Sequence, residues 1–179
     1  MTAPIPTFQL SPEALIEAFF QESEGDWRSE RRYYTLKEET IQEVVSFLTV
    51  RFLPRSSTEL IQLAQLHNFP EADELSCGAL TTWESNYIGP SAKTLTGSTV
   101  FGVKGDRLYR DRGFATSQPV AAQFHMRDPK TLTLKTEYGG SVFEEEIKLI
   151  GQLYRTRQTV ISRAGEEVMI GQYLEKRIV

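Results

Sequence analysis

The chain has 179 residues, 40% of them apolar and 25% charged, with a formal charge of −4 at neutral pH. That composition fits one ordinary soluble domain over 1–179 and argues against a generic nucleic-acid binder. No 18-residue apolar run occurs, so no membrane-spanning helix or membrane insertion is expected. The single cysteine and two histidines exclude an internal disulfide, a CxxC motif and a His-rich metal centre.

Residues 1–10 carry two prolines and little pattern; they read as a loose tail without the marks of a secretory signal. Ser11-Pro12-Glu13 starts a helix, with Ser at the N-cap and Pro in the first position. Leu15, Ile16, Phe19 and Phe20 give that helix one apolar face, and Gly25 is its expected stop. Two strand-like runs follow, Trp27–Leu36 and Ile41–Leu53, joined by the polar hairpin connection 37–40. Pro54 ends the second. Ser57 and Thr58 are expected to cap a short helix carrying Leu60, Ile61, Leu63, Ala64 and Leu66. From Cys77 onward the chain reads as strands near 78–88, 98–103, 107–112, 119–127, 131–138, 142–150, 153–163 and 167–178. Gly, Pro and Asp turns separate them. Ten strands in hairpin order predict a mainly β fold, an up-and-down antiparallel barrel with the first helix at one mouth. A barrel of this size holds one small ligand.

Period-2 alternation then singles out polar groups on apolar faces. Glu145 shares a face with Phe143, Ile147 and Leu149. A carboxylate there requires an internal salt bridge, a place near the mouth, or a ligand. Arg155 and Arg157 share a face, roughly 7 Å apart along the strand. They suit a pair of carboxylates, although the residues alone fit an exposed charge ladder better. Glu137 lies with Lys135 and Thr133 on one face of the strand before Glu145. Arg31 lies between Trp27 and Tyr33 as a cation–π filler or an anion-binding group. Trp83 reads as core or barrel lining. Cys77 reads as a quiet buried thiol, His125 as structural or exposed, and His67 as a helix end.

Seven stretches carry a family resemblance. They are Phe19-Phe20-Gln21-Glu22-Ser23-x-Gly25-x-Trp27-x-Ser29-x-Arg31, Cys77-Gly78-Ala79-x-x-x-Trp83-Glu84, Gly97-Ser98-Thr99-Val100, Gly113-Phe114-Ala115-x-x-x-Pro119-Val120-Ala121, Leu132-Thr133-Leu134-x-Thr136-Glu137-Tyr138, Glu144-Glu145 and Arg155-x-Arg157. In that order and spacing, the sequence resembles the S-type phycobiliprotein bilin lyases (the CpcS/CpcU/CpeS group) from about residue 15 to 163.

The resemblance implies a lipocalin-like barrel and a phycobilin–cysteine lyase. Its substrate would be a free phycobilin of the phycocyanobilin type, and its partner an apo-phycobiliprotein subunit. The product would be a thioether between the partner's cysteine and the A-ring ethylidene. The implied setting is the cyanobacterial cytoplasm or an algal plastid stroma, with no metal and no cofactor beyond the bilin itself. Arg31, Arg155 and Arg157 would meet the propionates, and Glu145 and Glu137 the pyrrole N–H groups as catalytic carboxylates. Trp83, Trp27 and Tyr33 would be flat walls. Glu146 stands where members commonly carry a base. That departure keeps open a CpcU-like partner subunit of a heterodimer, or a bilin carrier. The residues also allow a homodimer, or an unrelated lipocalin-like binder of an apolar small molecule.

Overall fold

The computed structural model describes residues 10–179, so the tail expected over 1–10 lies outside it except for Leu10, which is exposed. Helix α1 (Pro12–Ser23) starts as the sequence predicts: the Ser11 hydroxyl accepts from the Ala14 N–H at 3.2 Å, with Pro12 in the first turn. Ten strands follow, with one further helix between the second and third. They are β1 (Gly25–Thr35), β2 (Thr40–Pro54), β3 (Cys77–Tyr87), β4 (Lys93–Lys104), β5 (Arg107–Arg110), β6 (Val120–Asp128), β7 (Thr131–Tyr138), β8 (Ser141–Ile150), β9 (Tyr154–Arg163) and β10 (Glu166–Arg177). Helix α2 (Thr58–Leu66) lies between β2 and β3.

Each strand pairs antiparallel with its predecessor, and β1 closes the barrel against β10, with Arg31 opposite Tyr173. Closure pairs every edge of the sheet. Two expected boundaries move. β4 begins at Lys93 rather than near 98, because Lys93–Gly97 pairs with Trp83–Tyr87. β5 ends at Arg110, because Asp111 and Arg112 leave the sheet for a loop. Ser57 precedes α2, but its hydroxyl makes no cap hydrogen bond.

The first helix is a stopper. Ile16, Phe19 and Phe20 are buried against Trp27, Leu48, Val50 and Leu108 inside one end of the barrel. Removing that apolar face from water drives the seating. The indole N–H of Trp27 donates to the Ser23 carbonyl at 2.9 Å. Arg177 completes the junction: it donates to the carbonyls of Glu22, Glu24 and Gln152, and its guanidinium lies 4.2 Å from the Trp27 ring centre. These bonds satisfy carbonyls that the helix end leaves free. Gly25, at φ 130°, leaves the space that Arg177 fills; a Cβ there would come within 2.7 Å of its Nη1. Helix α2 sits outside the barrel, where Leu60 and Leu63 join Leu53 and Leu75 in a second apolar cluster.

Candidate functional site

With α1 closing one end, the barrel holds a cavity of about 480 Å³, open at the other end. That volume lies within the range of small-molecule sites. Phe19 and Phe20 form its floor; Trp83, Tyr33, Phe101 and Tyr173 are among its walls.

The alternation read for β8 holds: Phe143, Glu145 and Leu149 face inward and are buried. The Glu145 carboxylate is enclosed by two arginines. Its Oε2 is bonded to Arg157, and its Oε1 lies 3.6 Å from Arg110. Burial alone would raise the Glu145 carboxyl, but Arg157 and Arg110 outweigh it and hold the group below the usual carboxylate range. Burial pulls Arg110 down, with Glu145 acting in the opposite direction. Arg157 is pushed up by Glu145 despite its own burial.

A second buried pair lies on the other flank. Glu175 is bonded to Arg155 and accepts from the Ser29 hydroxyl at 3.1 Å. Ser29 in turn accepts from Arg31 Nε at 3.1 Å. Burial opposes ionisation of Glu175, but Arg155 and its neighbours win, and its carboxyl also sits low. Arg155 lies 4.8 Å from the Trp27 ring centre, while Arg31 and Arg157 lie 5.1 and 5.4 Å from that of Tyr173.

The expected residues separate accordingly. Arg31, Arg155, Arg157, Tyr33 and Trp83 line the lumen, and Glu145 stands behind Arg157 and Arg110. Trp27 is wholly buried at the floor junction, packed between Arg155 and Arg177 rather than offered as an open wall. Glu137 requires a correction. It lies on the outer face, exposed and 3.1 Å from Lys135, because inward Thr136 is its neighbour and alternation turns Glu137 away. Glu146 likewise faces outward, paired with Arg127 at 2.9 Å, so that departure from the family pattern does not touch the lumen. An exposed charge ladder at Arg155 and Arg157 is overturned, since both side chains point inward onto buried carboxylates.

Cys77 is buried and its thiol is pushed up to about 12 by burial, which leaves it inert. His125 is exposed; His67 bonds the Arg110 carbonyl at 2.9 Å beneath α2. Among the described residues no three His, Cys, Asp or Glu side chains gather as a metal-ligand set, and no helix is long and apolar enough to cross a membrane.

Alternation alone misses three residues. Arg110 belongs to a four-residue strand, too short to show a period. Glu175 and Tyr173 point inward while their neighbour Leu174 is half exposed, the reverse of what hydropathy suggests. The packing of Tyr33 on Tyr173, at 5.7 Å between ring centres, escapes the sequence for the same reason.

Several buried side-chain atoms of this wall have no hydrogen-bond partner in the protein: Glu145 Oε1, Arg110 Nε, Arg157 Nε, and the hydroxyls of Thr136 and Thr159. Thr159 stands directly across from Glu145 on β9. Native interiors leave few such groups, so the cluster sets this wall apart from an ordinary packed core.

Comparison with known proteins fits this geometry. The family described as "CpeS-like protein" matches residues 15–178. The chain belongs to the CpeS-like family of chromophore lyases. A Nostoc sp. protein provisionally named phycocyanobilin lyase CpcS 2 is 58% identical over 167 residues, covering 93% of each chain. A chromophore lyase CpcS/CpeS of Thermosynechococcus vestitus is 31% identical over 157 residues, covering 84% of this chain and 85% of its own. The structure of the S-type phycobiliprotein lyase CPES from Guillardia theta superposes with a TM-score of 0.77 at 23% identity. That match covers 97% of this chain and 99% of that one. The CpeS-like fold is thus the ten-stranded barrel with two helices that the sequence predicts, and the enzyme class is the expected one.

The buried pairs of this CpeS-like barrel predict an acid response. Glu145 and Glu175 titrate below their unfolded values, so their contribution is complete above about pH 4.3. It is lost as pH falls through the folded values. Melting temperature is expected to drop steeply below that point, and Glu175→Gln should flatten the drop. Parallel pH profiles for the variant and the parent would count against this.

Proposed function

We propose that the protein binds a free phycobilin of the phycocyanobilin type in its lumen and promotes thioether attachment to a cysteine of an apo-phycobiliprotein subunit. One observation carries the reading. Arginines line an open cavity walled by aromatic side chains, and the buried carboxylate of Glu145 stands directly behind two of them, Arg110 and Arg157. A linear tetrapyrrole brings pyrrole N–H groups for the carboxylate, carboxylates for the guanidinium groups and flat faces for the rings. Glu145, held ionised, favours a protonated pyrrole system beside it.

The chemistry is an addition without redox change. The client thiol adds across the exocyclic C=C of ring A: a C–S bond forms, the π bond is consumed, and the thiol proton ends on ring carbon. This chain contributes no nucleophile, in keeping with its buried Cys77. Its residues hold the bilin extended, keep water from it and present ring A at the open end. The proposed setting is the cyanobacterial cytoplasm or a plastid stroma.

Incubation with phycocyanobilin and an apo-phycobiliprotein subunit is expected to give an acid-stable, thiol-linked visible chromophore, unchanged by Cys77→Ala. Adduct formation only with a related lyase subunit present would make the chain one half of a heterodimer. No adduct above the spontaneous background, alone or with that subunit, overturns the proposal.

A further inference from the structure

Five arginines line the lumen: Arg31, Arg110, Arg112, Arg155 and Arg157. Among the described residues, Arg155 is paired with Glu175, while Arg110 and Arg157 share Glu145. Among those same residues, Arg31 and Arg112 have no carboxylate within ion-pair distance. The third acid nearby, Asp111, is engaged by β4: its Oδ1 accepts from the Thr99 hydroxyl at 2.8 Å and the Val100 N–H at 3.0 Å.

The loop that carries Arg112 is tied down on both sides of it. Asp111 pins the residue before it to β4. Gly113 after it donates to the Thr116 carbonyl at 2.9 Å, and the Ala115 N–H is held by the Tyr138 hydroxyl at 2.8 Å. A Cβ on Gly113 would come within 2.9 Å of that same hydroxyl and 2.8 Å of Thr116 Cγ2, so only glycine lets the loop lie this close. The guanidinium of Arg112 is carried over Trp83, 5.8 Å from its ring centre. It thus stands on the β3 side of the open end, while Arg31 stands on β1.

We infer that Arg112 is a specificity-determining residue, which takes one carboxylate of the ligand at the mouth of the lumen while Arg31 takes another. The inference rests on the bilin reading given above and deepens it. The two cations without acidic partners match a ligand with two carboxylates, and Arg110 and Arg157 are left to orient Glu145. An arginine backed by an aromatic face and free of an internal acid is poised for a bidentate carboxylate. At the rim it meets a flexible propionate without the cost of burying a lone charge.

The test uses phycocyanobilin and its dimethyl ester, titrated into the wild-type protein, Arg112→Gln and Arg112→Lys, with binding read from the visible spectrum. The wild type is expected to prefer the diacid. Arg112→Gln is expected to weaken the diacid about tenfold, the scale of one charge-assisted contact, and to leave the ester unchanged. Arg112→Lys should recover part of the loss. Equal weakening of diacid and ester would make Arg112 a packing residue on Trp83 and overturn the inference. So would an unweakened diacid, or a wild type that binds both forms alike. A wild type that binds neither form would instead remove the bilin reading itself. Melting curves control for folding, which a loop side chain at the rim should not disturb.

Discussion

Replacing Glu145 with glutamine is expected to lower stability by about 3 kcal/mol, because two guanidinium groups then remain in the barrel wall without a counter-charge. For a chain of this length that is a fall of roughly 6–12 °C in melting temperature. The isostere keeps the shape, so the loss reports charge rather than volume. Burial of Arg110 gives it little access to water, and Arg157 adds a like charge beside it. A double replacement, Glu145→Gln with Arg157→Met, removes one of the stranded cations and should recover part of the stability. Bilin spectra separate the structural and chemical roles. Both variants should show weaker binding and a changed absorption, since neither offers an ionised carboxylate to the pyrrole N–H groups. A double variant that recovers both stability and the parent spectrum would strip Glu145 of any part in handling the pigment. A single variant as stable as the parent would contradict the burial argument.

The second large effect lies away from the lumen. Gly78→Ala is expected to cost about 3 kcal/mol, at the upper end of overpacking in a closed core. The added Cβ would stand 2.0 Å from the backbone oxygen of Phe101 and 2.7 Å from Leu60 Cδ2. A strand carbonyl cannot step aside without opening the β3–β4 ladder. Its cross-strand partner Gly102 makes the comparison useful. A Cβ there meets only side-chain methyls, of Leu75 at 2.5 Å and Leu63 at 2.9 Å among them, and these can shift. Gly102→Ala should therefore cost less, about 1–2 kcal/mol, and Leu75→Ala should relieve it in part. Chemical denaturation of the three variants gives the order, and a Gly102 effect larger than the Gly78 effect would refute the distinction.

Strand boundaries are legible in the sequence wherever Gly, Pro or Asp turns interrupt β-preferring runs, and the closed barrel follows from hairpin order. Glu145 is legible because apolar Phe143 and Leu149 flank it at even spacing, which makes one charged side chain conspicuous. Arg155 and Arg157 can be placed on a common face, but a period of two does not say which side of the sheet that face is. Glu175 is hidden for a physical reason: this stretch of β10 exposes Leu174 and buries a carboxylate, so hydropathy gives the wrong sign. Arg112 is hidden because its position depends on a loop tied by Asp111 and Tyr138, contacts that no local pattern announces. Glu137 shows the converse, a carboxylate given a part at the bilin by family resemblance and turned outward by the pleat.

The stopper formed by α1 has one more consequence. A vessel sealed at its base has a single doorway, so a guest leaves by the route along which it arrived. On the proposed function, a long pigment goes in far end first, with the ring destined for bonding left nearest the threshold. Tethering that ring to an outside protein would let the departing partner draw the remainder out behind it, and the next guest has to wait until it has gone. Turnover in such a vessel is sequential by construction, one pigment at a time.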